Sequence, residues 1–338
     1  MKKLIAATYA PMLQNGSLNL EVIHSYGKFL KSNKVAGAFM NGSTGDFVSL
    51  STKERKQITE AWAKERPGDF LLVNHVGHTS LREAKELAVH CAEMVDAIGA
   101  LAPYYYKPKS LESLLFYCSE IATSAPNIPF YYYHIPVHTG IEFDMIDFLE
   151  RASKEIPNFA GIKYTQANFT DFSKCLHFNN GSHDILFGVD EMLLKSLPLG
   201  ATGWVGSTYN HLAPLYYEII SLFKKGKEGE AKALQAKAVF FVETLDKLAG
   251  FNGAGKSFMR WFGLDMGPSR FPHGTMTKAQ LATAVQALDR AGLLPYFSQS
   301  PSAKAPPNTH SYRRAAIGSG ISVSEHEAVT TKHNINPY

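Results

Sequence analysis

One lysine lies within an apolar segment that is typical of a buried strand, and its amine is the sharpest chemical feature of the sequence. Residues 161–165 read GIKYT and place Lys163 at the centre of that segment. A lysine that loses its hydration has a lowered pKa, and its neutral amine can attack a ketone to form a Schiff base. The alternative is a lysine at a strand end paired with a carboxylate, for which Asp190 and Glu191 are the candidates. The segment alone favours neither interpretation.

A short turn that carries two hydroxyl side chains is a candidate anion site. Residues 42–45 read GSTG, so Ser43 and Thr44 offer two hydroxyls beside several backbone N–H groups. Such a turn can hold a carboxylate without an arginine. The alternative is a Ser/Thr N-cap for the helix predicted to begin at Thr52. Tyr133 is a candidate proton relay if its hydroxyl faces the same site, although tyrosines in strands are more often core residues.

Two further motifs match the sequence patterns of a nucleotide site and of a metal site, but the secondary structure predicted around them does not fit either site. Residues 250–257 (GFNGAGKS) match the phosphate-loop pattern, which needs a strand before it, whereas the preceding residues have helical spacing. His134 and His138 have the spacing of a zinc pair, but Pro136 and the β-rich run argue against a helix that presents both rings. We therefore expect no nucleotide and no metal at these motifs.

A fold must position these residues, and the chain alternates short apolar runs with longer amphipathic segments eight times. Candidate strands cover residues 4–9, 36–40, 70–74, 97–102, 130–134, 160–164, 185–188 and 203–206. The runs show little alternation of polar and apolar residues, which is typical of parallel strands covered by helices on both faces. Eight such units predict an α/β fold, a closed (β/α)8 TIM barrel over residues 1–225, with an open doubly wound sheet as the alternative. Later helical patterns predict a C-terminal helical extension over residues 226–297.

Composition excludes several classes of protein. The 338-residue chain has a net charge of +4 and no long basic blocks, so we expect no nucleic-acid partner. No apolar run approaches the length of a membrane span or a signal peptide, so we expect no membrane association. Three cysteines outside any CxxC motif indicate reduced thiols in a cytoplasmic compartment. Residues 298–338 lose all apolar periodicity, which predicts a disordered low-complexity tail.

In a barrel of this type the chemistry lies at the carboxyl ends of the strands, and polar or aromatic residues lie within or directly after six of the predicted strands. These sets are residues 41–46 (NGSTGD), 103–106 (PYYY), 131–136 (YYYHIP), 161–165 (GIKYT), 188–191 (GVDE) and 206–210 (GSTYN). We expect the six sets to converge on one mouth of the barrel.

In this order and spacing, the motifs resemble the pyruvate-dependent class I aldolases of the N-acetylneuraminate lyase and dihydrodipicolinate synthase superfamily. Within it, the chain is most similar to the animal type of N-acetylneuraminate lyases, or sialic acid aldolases, over about residues 3–297. The resemblance implies reversible cleavage of N-acetylneuraminate to N-acetylmannosamine and pyruvate. It implies no metal and no organic cofactor, because the protonated imine is the electron sink. It also implies a homotetramer.

The resemblance implies a role for each site residue. Lys163 would form the Schiff base with the C2 ketone of the open-chain sugar. Tyr133 would shuttle the proton at the C4 hydroxyl as the C3–C4 bond breaks, and Tyr105 would reach into the site of a neighbouring subunit. The substrate contacts would come from Ser43 and Thr44 at the carboxylate, Thr165 beside the Schiff base, and Gly188, Asp190, Glu191 and Ser207 at the polyol.

The choice of substrate depends on two further positions. His138 stands where lyases usually have leucine and dihydrodipicolinate synthases usually have an arginine that binds a carboxylate. A protonated imidazole could attract an anion, whereas the carboxylates of Asp190 and Glu191 suit sugar hydroxyls and would repel an acidic partner. The sequence therefore favours sialic acid. The alternatives are another pyruvate-dependent aldolase, either dihydrodipicolinate synthase-like or specific for a keto-deoxy-sugar acid, and a non-catalytic barrel that binds a keto acid or sialic acid.

Overall fold

The computed structural model describes residues 3–300, and its centre is a closed barrel of eight parallel strands. The strands follow one another around the barrel in chain order, and β1 closes the ring by pairing with β8. Their bounds are β1 Lys3–Ala7, β2 Gly37–Met40, β3 Leu71–His75, β4 Ala97–Leu101, β5 Phe130–His134, β6 Phe159–Tyr164, β7 Asp184–Phe187 and β8 Gly203–Gly206. The predicted barrel is confirmed, and the alternative of an open sheet is wrong.

Helices connect the strands and cover the outside of the barrel, and further helices follow β8. Within residues 3–300 their bounds are α1 Val22–Ser32, α2 Thr52–Lys64, α3 Leu81–Cys91, α4 Leu111–Ser124, α5 Pro136–Thr139, α6 Met145–Glu155, α7 Phe169–His177, α8 Leu193–Ser196, α9 Tyr209–Lys224, α10 Glu228–Ala249, α11 Phe251–Phe258 and α12 Lys278–Arg290.

Alternation along the strands separates two apolar cores. Side chains of successive strand residues point to opposite faces of a sheet. Tyr132 and Tyr164 belong to the core between strands and helices, where the Tyr132 and Phe148 rings lie 4.5 Å apart between centroids. Tyr133 belongs to a smaller core inside the barrel together with Phe39. Strands that are buried on both faces explain why the predicted strands show so little polar alternation.

The C-terminal helices are fixed to the barrel by an aromatic cluster. The Phe241 ring on α10 has its centroid 5.2 Å from that of His211 on α9, 5.4 Å from that of Phe258 on α11 and 6.1 Å from that of Phe297. All four side chains are buried. The chain just beyond this cluster is also tied to α9, because the backbone N–H of Ser298 donates to the His211 carbonyl at 2.7 Å. The predicted helical extension therefore shares its core with the barrel.

Three sequence-based expectations concern the rest of the chain. Of the predicted tail, residues 301–338 lie outside the described residues. Cys91, Cys118 and Cys175 are free and buried, as the absence of a CxxC motif predicts. In the part of the chain that the structure describes, no helix combines the length and the apolar character needed to cross a membrane.

We expect the substitution Phe241→Ala to destabilise the whole protein, because it removes the centre of the cluster that joins α9, α10 and α11. The loss in the free energy of unfolding should be about 3–5 kcal/mol, as for other fully buried phenylalanines. The adjacent Phe240 is 39% exposed, so Phe240→Ala is the matched control and should cost less than about 1 kcal/mol. Urea denaturation measures both values, and equal losses would contradict this account of the cluster.

Candidate active site

Strand pairing places Lys163 and Tyr133 side by side inside the barrel. Tyr133 on β5 is the register partner of Lys163 on β6. The Lys163 amine nitrogen lies 3.8 Å from the centroid of the Tyr133 ring and 4.1 Å from that of Phe39. Within residues 3–300 the amine forms no salt bridge. The alternative interpretation, a lysine paired with Asp190 or Glu191, is therefore wrong.

Burial between two aromatic rings determines the charge of the Lys163 amine. The side chain is 4% exposed, and loss of hydration lowers its pKa to about 7. The negative charge of Asp190 raises this pKa, but by less than burial lowers it. At neutral pH a large fraction of the amine is therefore unprotonated, which is the form that attacks a carbonyl carbon.

The Tyr133 hydroxyl faces the same space and remains protonated. Burial raises the pKa of Tyr133 to about 12, and the side chains of Ser43 and Thr165 lower it by smaller amounts. The hydroxyl lies 3.4 Å from the Ser43 Oγ atom. A phenol in this position can accept a proton only as it passes its own to another oxygen, so its chemistry is that of a relay.

The hydroxyl-bearing turn after β2 is a loop of the barrel mouth and not a helix cap. Ser43 and Thr44 both line the mouth. The backbone N–H of Asp46 donates to the Ser43 carbonyl at 3.0 Å, which closes the turn. Helix α2 is capped by Ser51 instead, whose side chain accepts from the backbone N–H of Glu54 in a capping box. The interpretation of Ser43 and Thr44 as an N-cap is therefore wrong.

Two acidic residues after β7 lie at the opposite side of the mouth. Burial raises the pKa of Asp190, and its carboxylate accepts hydrogen bonds from the backbone N–H of Thr208 at 2.8 Å and its hydroxyl at 2.6 Å. Burial and the neighbouring Asp190 charge raise the pKa of Glu191 to about 7. A carboxyl group that is partly protonated can both donate to and accept from sugar hydroxyls.

Two glycines make room for these polar groups. A Cβ atom on Gly188 would lie 2.1 Å from the Thr165 hydroxyl oxygen, and one on Gly206 would lie 1.6 Å from an Asp190 carboxylate oxygen. Both distances are far inside van der Waals contact. The backbone of β7 and β8 therefore has to approach Thr165 and Asp190 without a side chain.

One cavity of about 570 Å³ at the carboxyl ends of the strands brings the predicted site residues together, with a single exception. Tyr105 does not line this cavity; its side chain is 75% exposed, whereas the preceding Tyr104 does line the cavity. The cavity is lined by Lys163, Tyr133, Ser43, Thr44, Thr165, Gly188, Asp190, Glu191 and Ser207.

The helical extension contributes cavity residues that the sequence did not indicate. Phe251 and Asn252 at the start of α11 and His273 from the loop before α12 all line the cavity. The Asn252 amide contacts the Ser43 carbonyl at 3.4 Å, and His273 lies 3.5 Å from the Asp46 carboxylate. The only signal in the sequence was the polar character of these loops, because nothing in the helical spacing shows that α11 begins at the mouth.

The phosphate-loop match at residues 250–257 and the pair of His134 and His138 both lie in segments with structural roles. Residues 250–257 lie at the start of α11 and follow helix α10, and the Lys256 amine donates to the Pro268 carbonyl at 2.7 Å. The helical context that argues against a phosphate loop is confirmed. At the histidine pair, Pro136 opens the short helix α5, which contains His138 but not His134. His134 lies on β5 and contacts Gln166 at 3.0 Å, so the two rings are not presented by one helix.

Comparison with known proteins agrees with this geometry. The model of the dihydrodipicolinate synthetase family matches residues 1–291. The chain belongs to this family. The chain is also similar to N-acetylneuraminate lyase A of Xenopus laevis, with 40% identity over 276 residues, covering 80% of this chain and 90% of that protein.

Solved structures also resemble this chain. The N-acetylneuraminate lyase of Proteus mirabilis superimposes with a TM-score of 0.83 at 36% identity, covering 87% of this chain and 99% of that one. A catalytic lysine mutant of the sialic acid aldolase of Ruminococcus gnavus superimposes with a TM-score of 0.80 at 25% identity, covering 86% and 96% of the two chains.

We expect the reactivity of the Lys163 amine to rise with pH through about pH 7, because burial lowers its pKa to that value. An ordinary lysine has a pKa near 10.4, so its reactivity rises over a range more than about three pH units higher. Reductive methylation with labelled formaldehyde, followed residue by residue at pH 5–10, measures this titration. Half-maximal labelling of Lys163 above about pH 9 would contradict the proposed desolvation.

Proposed function

We propose that this chain is a class I aldolase that reversibly cleaves N-acetylneuraminate to N-acetylmannosamine and pyruvate. The observation that carries the proposal is the buried, unpaired Lys163 amine at the floor of a cavity of about 570 Å³. Similarity to N-acetylneuraminate lyases over most of the chain supports the choice of sugar. The volume is sufficient for an open-chain nine-carbon sugar acid.

The reaction begins at Lys163. The neutral amine adds to the C2 ketone, and loss of water with uptake of one proton gives a protonated imine. When the C3–C4 bond breaks, its electron pair moves toward this imine and leaves an enamine of pyruvate. Protonation of C3 and addition of water then release pyruvate and the free amine. Because the imine serves as the electron sink, these steps require no metal and no organic cofactor.

Tyr133 moves the proton that bond cleavage releases. As the C4 hydroxyl becomes an aldehyde, its proton passes to the Tyr133 oxygen, and the phenolic proton passes on to the substrate carboxylate. The short distance between the Tyr133 and Ser43 hydroxyls, 3.4 Å, supports a carboxylate held at Ser43 and Thr44 within reach of the phenol. Thr165 lines the cavity beside the amine and would fix the orientation of the imine.

The cavity wall formed by the residues after β7 and β8 suits the hydroxyl-bearing part of the sugar. Gly188, Glu191 and Ser207 offer backbone and side-chain groups to the sugar hydroxyls. One oxygen of Asp190 already accepts both hydrogen bonds of Thr208, so this residue would bind the sugar through its other oxygen.

Burial and the nearby His273 lower the pKa of His138, so its imidazole is neutral at pH 7. A neutral ring does not replace the arginine of a dihydrodipicolinate synthase, which favours a sugar over a second acid.

Pyruvate release from N-acetylneuraminate tests the proposal directly. We expect Lys163→Ala to abolish release, and Tyr133→Phe to slow it by about 10²–10⁴-fold because the relay oxygen is lost. The matched control is Tyr132→Phe, since the Tyr132 side chain lies in the outer core and its hydroxyl has no hydrogen-bond partner within residues 3–300. This control should retain nearly full activity.

Borohydride reduction in the presence of pyruvate identifies the nucleophile. The stable adduct should appear on the peptide that contains Lys163. Lys256 is the internal control, because burial lowers its pKa to about 8 but its amine is bound to a carbonyl. An adduct on Lys256 or on no lysine would show that the role proposed for Lys163 is wrong. An adduct on Lys163 without release of pyruvate from sialic acid would favour another pyruvate-dependent aldolase or a non-catalytic keto-acid binder.

We also propose that the protein acts in the cytoplasm as a homotetramer in which Tyr105 enters a neighbouring subunit's site. The three free, buried thiols support a reducing compartment. The exposure of Tyr105, at 75%, leaves its ring available to a second copy. Light scattering should give a mass of four chains, and Tyr105→Ala should lower activity without changing the Lys163 adduct. A fully active monomer would contradict this assembly.

A further inference from the structure

A buried arginine lies behind the hydroxyl-bearing turn, and no residue of the described part of the chain, 3–300, is its acidic partner. Arg55 on α2 is 1% exposed. Its guanidinium donates to the Gly77 carbonyl at 3.0 Å and to the His75 carbonyl at 2.5 Å. Within residues 3–300 no carboxylate forms a salt bridge with it. Burial lowers the pKa of Arg55 to about 10, so it stays protonated at neutral pH and its charge is balanced only by dipoles.

The imidazole that contacts Arg55 does not neutralise this charge. Burial and the Arg55 charge lower the pKa of His75 well below its usual value. The backbone N–H of Leu101 donates to the His75 Nε2 atom at 3.3 Å, so the ring proton is on Nδ1, which donates to the Asn41 carbonyl at 2.8 Å. The contact of 3.4 Å between the guanidinium and Nδ1 therefore joins two N–H groups. Buried positive charges are seldom left in this state.

The charge lies directly behind the wall of the cavity. The Arg55 guanidinium carbon is 5.3 Å from the centroid of the Phe47 ring. Phe47 follows the turn that contains Ser43 and Thr44, and it lines the cavity. The Arg55 charge also lowers the pKa of Tyr104, another residue of the cavity wall. An apolar ring screens a charge far less than water does, so the field of Arg55 extends into the cavity.

The turn needs a positive potential because it carries a carboxylate of its own. Asp46 closes the turn and lines the cavity. Its carboxylate accepts a hydrogen bond from the Ser49 hydroxyl at 2.9 Å and lies 3.5 Å from His273. A second carboxylate bound at Ser43 and Thr44 would be repelled by Asp46. The charges of Lys256 and Arg270 act on Asp46 and offset part of this repulsion, and Arg55 adds a further positive charge behind the turn.

We propose that Arg55 is a positioning residue whose buried, unpaired charge, acting through the Phe47 ring, holds the keto-acid carboxylate at Ser43 and Thr44. The residue thereby selects charged keto acids over neutral ketones. This inference rests on the proposed function, because the keto acid has to bind beside Lys163. Two unit charges about 10 Å apart at an effective dielectric constant of about 20 interact by an amount equivalent to roughly tenfold in affinity.

Two ketones that differ by one methyl group and one charge separate the charge of Arg55 from its packing. Pyruvate carries a carboxylate, and methyl pyruvate is its neutral ester. The adduct on Lys163, trapped with borohydride at increasing ketone concentration, gives the concentration for half-maximal labelling. For Arg55→Gln we expect this concentration to rise about tenfold for pyruvate and less than about twofold for methyl pyruvate. Burial would lower the pKa of a lysine at this position, so Arg55→Lys restores the charge only at low pH, and there, at about pH 6, it should leave the ratio between the two ketones unchanged.

Controls distinguish the possible outcomes. Arg66, just beyond α2, pairs with Asp96 outside the cavity at 3.1 Å, so Arg66→Gln removes one positive charge and should change neither value. Equal weakening of both ketones by Arg55→Gln would show a purely structural role and would overturn the inference. If that variant does not fold in a thermal unfolding assay, Arg55→Lys decides at about pH 6, where its amine is protonated: a tenfold loss confined to pyruvate would overturn the inference. Wild-type protein that forms no adduct with either ketone would instead refute the proposed function.

Discussion

The removal of water from one amine is the constraint on which the site depends. The pKa of Lys163 falls from its usual 10.5 to about 7 because the amine is buried against two aromatic rings. A shift of this size corresponds to a free energy on the order of 5 kcal/mol, which the rest of the fold has to offset. The closed barrel can do so because a large apolar core lies between its strands and helices and a smaller one fills its interior.

The polar groups of the cavity are arranged around this amine according to charge. On one side are the Ser43–Thr44 turn and, behind it, the guanidinium of Arg55. On the other side are Asp190 and Glu191, whose pKa values are raised by burial. A substrate that is anionic at one end and rich in hydroxyls at the other matches this distribution. A substrate with acidic groups at both ends would meet the acidic pair.

The sequence was sufficient to predict the barrel and most of the candidate site, for a physical reason. Strands buried on both faces appear as apolar runs, and the polar residues that end them must gather at one rim of a parallel barrel. Lys163 and Tyr133 could be found in this way because they lie within strands. The spacing could not show that the Lys163 amine forms no salt bridge within residues 3–300. This depends on the orientation of Asp190, whose carboxylate accepts two hydrogen bonds from Thr208.

Other parts of the site depend on packing between distant segments. Asn252 and His273 reach the mouth only because α11 and the loop before α12 fold back over it. Arg55 has the appearance of an ordinary polar residue in the amphipathic helix α2, and only the structure shows that it is buried and unpaired. The short helix α5 was not among the predicted elements; Pro136 occupies its first turn, where a proline is tolerated.

The contribution of α11 to the cavity wall has a consequence for how such enzymes diversify. The groups proposed to break the bond, Lys163 and Tyr133, belong to the barrel, whereas Phe251, Asn252 and His273 belong to a segment outside it. Mutations in that segment can reshape the outer half of the binding space while the reacting atoms keep their geometry. Evolution, or a protein engineer, can thus exchange the aldehyde that is released and retain the keto acid, by altering a part of the chain that makes no bond to the reaction centre.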